Sequence, residues 1–440
     1  MDSKVTSLSL IISVVLSTFA KGGEWTLDRA LGQVVREAPD ARVAQLRLEK
    51  AKAQLSEARA KWMPKVNAET GYSATDNPTQ AFMFLLNQRQ LTFGGDFNDP
   101  PVTDNWGSGL SFEYPLYTGG ARKAGERAAH AGVAASAFEM AAVKRQLQLE
   151  VARSYYQILR AGEIVKAAEA ALANQQSNLK LASELVDGGK ALPTAVLDIE
   201  TQIARAEADL EAVRNQREIA LAMLKSLLGL DDKNVISVNG SWTSIVWPRE
   251  LGAKPDRPEI KALNERSRQA EAQIEVAKSG KRPQVSAFAT GRHDEGFTQP
   301  DGGNSWIAGV MVRLNLFNGG ETKALVAQAE VDRAILGEQL RKQRQQIELQ
   351  VKTARLNLET ARKRISLAKK AIKSAEESLD LTRARFKEGL LLSTQLIDAE
   401  TVLTSMRVQL SGARAEEQIA LAELRHSLGL PIRNVKENSK

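Results

Sequence analysis

Side chains able to perform covalent or metal chemistry are few in this chain of 440 residues. There is no cysteine, which excludes disulfides, thiolate nucleophiles, thiolate zinc sites and lipid attachment at a cysteine. His130, His293 and His426 stand too far apart for a short metal motif. Gly280-Lys281 lacks both the upstream glycine and the following Ser or Thr of a phosphate loop. With no nucleophile–base pair either, the chain reads as a non-enzyme with no cofactor. Asp198 and Asp398 stand out by spacing, because they lie 200 residues apart inside stretches that align without a gap. The elements that position them follow from that repeat.

Trp106 to Leu230 aligns with Trp306 to Leu430 at an offset of 200. Leu116-Tyr117-Thr118-Gly119-Gly120 matches Leu316-Phe317-Asn318-Gly319-Gly320, and Asp198, Glu200 and Thr201 match Asp398, Glu400 and Thr401. Upstream the offset is 219, pairing Pro39 with Pro258 and Pro64 with Pro283, so the first repeat carries 19 extra residues between Tyr72 and Trp106. Two long copies do not make a solenoid. Each is one half of a pseudo-symmetric protomer: 21–230, a connector over 231–257, 258–430, and a tail over 431–440.

Prolines are absent from 116–192 and 301–430, where long helices can run. Ile347, Val351, Ala354, Leu358, Ala361, Ile365, Ala368, Ile372, Ala375 and Leu379 recur at alternating steps of four and three, the 3.5-residue period of a coiled-coil seam. Leu147, Val151, Ile158, Val165, Leu172 and Leu179 copy it in the first repeat. Asp187-Gly188-Gly189 and Glu388-Gly389 end one helix; Thr194 and Ser393 suit the caps that open the next. Each repeat is expected to hold an antiparallel helical hairpin, over 119–229 and 319–429.

Period-two alternation marks strands near 65–73, 106–117, 284–291 and 306–317, as in Val66, Ala68, Thr70 and Tyr72 set between polar residues. One apolar and one polar face suit a membrane barrel wall. Four strands cannot close a barrel, since the smallest membrane barrels have about eight, so chains must pool strands. Lys4, the apolar stretch Val5 to Leu16 and Thr18-Phe19-Ala20 read as a cleaved export signal over 1–20. Lys+Arg exceed Asp+Glu by 60 to 53, but the charges interleave along the helices and an exported chain does not meet nucleic acid.

The Leu-aromatic-x-Gly-Gly junctions, the turn Arg385-Phe386-Lys387-Glu388-Gly389 followed by Ser393 and Ile397-Asp398-Ala399-Glu400, and the duplicated hairpin plan resemble the TolC-type outer membrane efflux protein family. The resemblance covers nearly all of the chain after residue 20. It implies a mostly α fold with membrane β-strands. As a homotrimer this would form a 12-stranded β-barrel in outer-membrane lipid of a Gram-negative bacterium and an α-barrel extending into the periplasm. It implies an exit channel of a tripartite efflux or type I secretion system, served by a periplasmic adaptor (membrane fusion) protein and an inner-membrane pump of RND or ABC type. By the same resemblance, Gly119, Gly120, Gly319 and Gly320 are strand–helix junctions, and Gly189, Phe386, Gly389 and Ser393 mark the tips that dock the adaptor. Asp398, its counterpart Asp198 and Gln395, which stands where the family often has a second acid, belong to the periplasmic gate. Like charges gathered there attract cations.

Residues 73–105 and 292–305 are expected to be extracellular loops, with the apolar Ala81–Leu86 folding back over the barrel mouth or touching a neighbouring chain. The run of twelve Lys and Arg between Asp332 and Lys373 is expected to face solvent or neighbouring helices. The competing reading is a periplasmic coiled-coil scaffold or adaptor without a barrel.

Overall fold

Two 67-residue helices, each about 100 Å long at ~1.5 Å per residue, set the dimensions of the chain in the computed structural model. The structure describes residues 25–432 except 93, 95, 97, 232–233, 239–241, 243–244, 248–255 and 298–301. The expected export signal and residues 433–440 of the tail lie outside the described residues. The order is α1 (Leu27–Glu37), α2 (Pro39–Ala60), β1 (Lys65–Thr75), α3 (Pro78–Asn87), β2 (Thr103–Thr118), α4 (Ala121–Asp187) and α5 (Thr194–Leu228). The second repeat follows with α6 (Pro258–Lys278), β3 (Gln284–Glu295), β4 (Gly302–Arg313), α7 (Glu321–Lys387) and α8 (Ser393–Ser427).

The helices lie side by side rather than around one core. In the half nearest the sheet the lateral order is α2, α4, α6, α7; in the far half it is α5, α4, α8, α7. Alanine at the seam is what lets them approach, and Ile347, Ala354, Leu358, Ala361, Ala368, Ala375 and Leu379 are buried in α7 as the 3.5-residue period requires. Helix α4 has neighbours on both flanks, so it also buries Tyr155 and Tyr156. The main core sits mid-height, where α1 and connector residues Ile236, Val238 and Ile245 pack on α4 and α8, with Trp242 stacked on Tyr156.

The repeat is visible in the packing. Gly229 and Gly429 both end a helix in the left-handed region, at φ +67° and +77°. A side chain on Gly229 would strike the Glu37 carbonyl, and one on Gly429 the Asp256 carbonyl, two groups related by the offset of 219. The two short helix corners therefore seat identically on the ends of the two hairpins.

The sheet is fully antiparallel in the order β1-β2-β3-β4. Departures from the sequence expectation occur at the strand ends and in the first loop: β2 already begins at Thr103 and β3 runs on to Glu295, inside the segments expected as loops. β4 runs over Gly302–Arg313, so Leu314, Leu316 and Phe317 lie beyond it and are exposed; the alternation continues past the last paired residue. The segment expected as loop 73–105 contains the helix α3, opened by Asn77, whose Oδ1 accepts from the backbone N–H groups of Thr79 and Gln80.

Candidate functional site

The register of the sheet sorts its side chains. Val66, Phe112, Ala289 and Ala308 lie across one another on one face, as do Ala68, Leu110, Gly291 and Trp306. The opposite face carries Asn67, Glu69, Glu113, Arg292 and Asp294. No described helix or strand covers the apolar face: Val66, Leu110, Val310 and Val312 are each more than half exposed, and Trp306 is 81% exposed. Tyr72, Trp106 and Phe297 meet at the end far from the two hairpins, Phe297 edge-on to both other rings, with ring centroids 5.4–6.5 Å apart. Aromatics gathered at the border of an apolar band are the pattern of a membrane interface. Phe288, which breaks the alternation, turns to the polar face and lies over Gly309, its cross-strand partner.

At the junctions, Gly119 and Gly319 have φ near +63°, and Gly120 and Gly320 have φ +91°, a conformation that L side chains rarely take. This double left-handed step turns strand direction into helix direction. Gly119 is covered by Ser279 and Arg282, and the Arg282 guanidinium donates to the Gly119 carbonyl at 3.1 Å. Gly319 has nothing within reach of a Cβ.

At the far end the two hairpin turns abut. Gly189 (φ +67°) and Gly389 (φ +73°) close their helices, with Lys190 and Leu390 donating back to the carbonyls of Leu185 and Arg385. A Cβ on Gly389 would stand 3.0 Å from the Lys190 carbonyl oxygen. Two of the residues expected to dock an adaptor, Phe386 and Ser393, are placed inside rather than outside. Phe386 is 1% exposed, packed with Leu185, Ile199, Leu379 and Leu396, and it binds the two hairpins into one tip. Ser393 is 4% exposed and does not cap α8; its hydroxyl donates across the tip to Asp198 Oδ2 at 2.8 Å. Ser393 is the first residue of α8 and Leu392 holds the cap position, so the hydroxyl is left to donate to a carboxylate, a charge-assisted bond.

Asp198 thus faces the second hairpin, while Asp398 is exposed on α8 and Gln395 is exposed with its Oε1 turned back to the Leu392 amide at 3.4 Å. Sequence reasoning missed a buried group two residues further along α8 than Asp398. Glu400, 4% exposed, accepts from Asn178 at 2.8 Å and from Arg383 at 2.7 Å, linking α8 to α4 and α7. The only signal was Glu400 beside Asp398 in the repeated motif.

The twelve basic residues between Asp332 and Lys373 are all exposed. Arg362 lies 4.7 Å over the ring of Trp247 in the connector and pairs with Glu417 at 3.1 Å, so the connector covers part of this face of α7. The three histidines remain apart: His130 lies against Arg59, His293 against Asn304 and His426 against Arg257.

A bare apolar sheet face continued by 100 Å helical hairpins is the geometry to be matched against known proteins. Residues 30–230 and 253–430 match the profile of the outer membrane efflux proteins. The chain belongs to that family. Its relatives include the pyoverdine export outer membrane protein OpmQ of Pseudomonas aeruginosa, 24% identical over 417 residues, covering 92% of this chain and 84% of that protein. The outer membrane protein TolC of Vibrio cholerae is 24% identical over 380 residues, covering 81% and 85%. The solved outer membrane protein VceC of Vibrio cholerae shares the fold, with a TM-score of 0.77 at 19% identity over 92% of this chain and 97% of that one. This efflux-family chain is accordingly an outer-membrane protein reaching into the periplasm, with channel proteins rather than enzymes as its relatives.

Proposed function

We propose that three copies of the chain pool their sheets into a 12-stranded barrel and their hairpins into one tube, the exit duct of a tripartite efflux or type I secretion system. The observation that carries the reading is the unfinished sheet. Among the described residues β1 and β4 have no further strand partner, while the apolar face between them is bare. Open edges and bare apolar surface are costly in water, and closure within a membrane removes both. Gly319 supports a ring. Its equivalent Gly119 is covered by Ser279–Arg282, so the corresponding residues 60–63 of the next copy would cover Gly319 by the same contact. A scaffold without a barrel leaves the apolar face unexplained.

The tips, around Gly189 and Gly389, dock the periplasmic adaptor that joins the duct to an inner-membrane pump of RND or ABC type. Phe386 and Ser393 serve that surface by holding its shape. Asp398 is the gate residue proper, with Asp198 bracing it through Ser393 and Gln395 beside it. Asp398 and Asp198 together present six carboxylates at the trimer's narrow end.

The test of assembly is migration on gels with and without heating: trimers that dissociate only on heating support the duct, and monomers in both lanes overturn it. For the gate, single-channel conductance is recorded with a multivalent cation on the periplasmic side. Block weakened by Asp398→Ala is the expected result. Unchanged block in the Asp198→Ala, Asp398→Ala double variant removes these residues from the gate.

A further inference from the structure

We propose that α3 is an inward-folded lid, and that the three α3 helices of a trimer meet through Met83 and Leu86 to close the mouth of the barrel from the outside. The inference rests on the trimeric duct argued above. Its own evidence is where α3 is seated and what it leaves uncovered.

The helix ends on the polar face of the sheet, which is the lumenal face if the apolar one meets lipid. One cross-strand layer there reads Gly71, Gly107, Asp294, Gly303, three residues without side chains around one carboxylate. The chain leaving α3 occupies that cleared space. A Cβ on Gly303 would fall 1.8 Å from the Asn87 carbonyl oxygen, so position 303 admits no side chain while α3 is seated.

A buried polar latch holds the seat. Gln88, 2% exposed, donates to the Asp104 carbonyl at 2.7 Å and to Asn105 Oδ1 at 2.8 Å. Asn105 in turn donates to Asp294 Oδ1 at 2.8 Å, and Arg292 donates to the same oxygen at 2.8 Å. Asp294 is fully buried. Arg89 follows at φ +60°, the one non-glycine residue with positive φ among those described, and its guanidinium donates to the Asn304 carbonyl at 2.9 Å. Strained backbone held by a side-chain bond marks a position that the surrounding structure enforces. A loop merely solvated at the mouth needs none of this.

The uncovered side of α3 names its partner. The helix Pro78–Asn87 carries no charge, and Met83 and Leu86 are 48% and 42% exposed. In a water-filled bore that surface is unfavourable. Rotation about the barrel axis brings the same surface of two further copies toward it, and a symmetric contact of this kind buries all three. Only the first repeat carries the 19 extra residues, so a trimer has three such lids, each from one protomer.

The absence of cysteine makes the test clean. Trimers of the otherwise intact Leu86→Cys protein are oxidised with copper phenanthroline. The expected result is a disulfide-linked dimer on heated non-reducing gels from material that migrates as a trimer unheated. In a second measurement, Ser111→Cys on the polar face of β2 is challenged from outside the cell with a bulky maleimide. Protection is expected with α3 in place, and labelling once residues 78–90 are replaced by a Gly/Ser linker. Trimers in which Leu86→Cys does not couple, or equal labelling of Ser111→Cys with and without α3, overturn the lid and leave the duct standing. Loss of trimers in unsubstituted protein overturns the duct and the lid with it.

Discussion

Glu400 illustrates how much of the tip is carried by single groups. Its carboxylate is buried, and Arg383, with a side chain 39% exposed, is its counter-charge. Removing that guanidinium leaves a charge with only the Asn178 amide to compensate it. Arg383→Ala is expected to destabilise the tip by about 2 kcal/mol, below the 3–5 typical of fully buried pairs because Arg383 keeps access to water. Adding Glu400→Gln to that variant should restore most of the loss, as measured by amide exchange across the tip helices. A double variant no more stable than the single one would show that no buried charge is at stake. Gly389→Val at φ +73° should cost a further ~1–2 kcal/mol locally and abolish export while trimers still form; loss of trimers would make its role purely structural. The tip glycines Gly189 and Gly389 were legible in the sequence because a left-handed residue leaves a compositional mark. The sequence could not reveal that Ser393 serves Asp198, 195 residues away, since a serine at a helix start reads the same whether it caps or reaches across.

At the scale of elements, the ends of the hairpins are tied to the helix corners by polar groups with little water. His426, near the end of α8, is 8% exposed and lies 3.3 Å from the Arg257 guanidinium. Burial first, and then that neighbouring positive charge, push its pKa down to about 4. The folded value lies below the unfolded one, so between roughly pH 6.5 and 4 unfolding takes up a proton and stability falls as the pH falls. Above that window the histidine is neutral in both states and contributes no pH dependence. Thermal midpoints at pH 7 and pH 4.5 should therefore converge in His426→Gln relative to the unsubstituted protein. Equal acid sensitivity in the two would assign the effect elsewhere. The strands were legible from alternation, but their ends were not. Alternation runs on through Leu314 and Leu316, whereas β4 stops at Arg313 opposite Gln284, where β3 begins. Helix α3 was legible only as an oddly apolar loop, because its seat is made by Gly303, 216 residues after Asn87 and silent in composition.

For the whole molecule, the flank of α7 turned away from its seam exposes Leu349, Leu356, Leu367 and Leu381, each 54–64% accessible. Steps of seven, eleven and fourteen residues put them in one stripe of a helix with ~3.6 residues per turn. In the proposed trimer this would be the edge that meets the next copy. Leu367→Asp with Leu381→Asp is expected to abolish heat-dissociable trimers without changing helix content by circular dichroism. Trimers that persist would place the joint on another face. The internal joints show what such contacts look like, since α4–α6 and β2–β3 already join one repeat to the other within the chain.

That last feature bears on how such a ring comes together. A ring of six similar units made from separate chains has six joints and takes five encounters in solution, the last joint closing within the assembly. Joining two molecules costs about 4–15 kcal/mol of translational and rotational freedom. In the trimer proposed above, the connector between α5 and α6 would supply every second joint at high effective concentration, leaving two encounters in place of five. The duplication is then a kinetic device as much as an architectural one. In that trimer it would shorten the time for which a chain carries an uncovered apolar sheet face through water before its neighbours close around it.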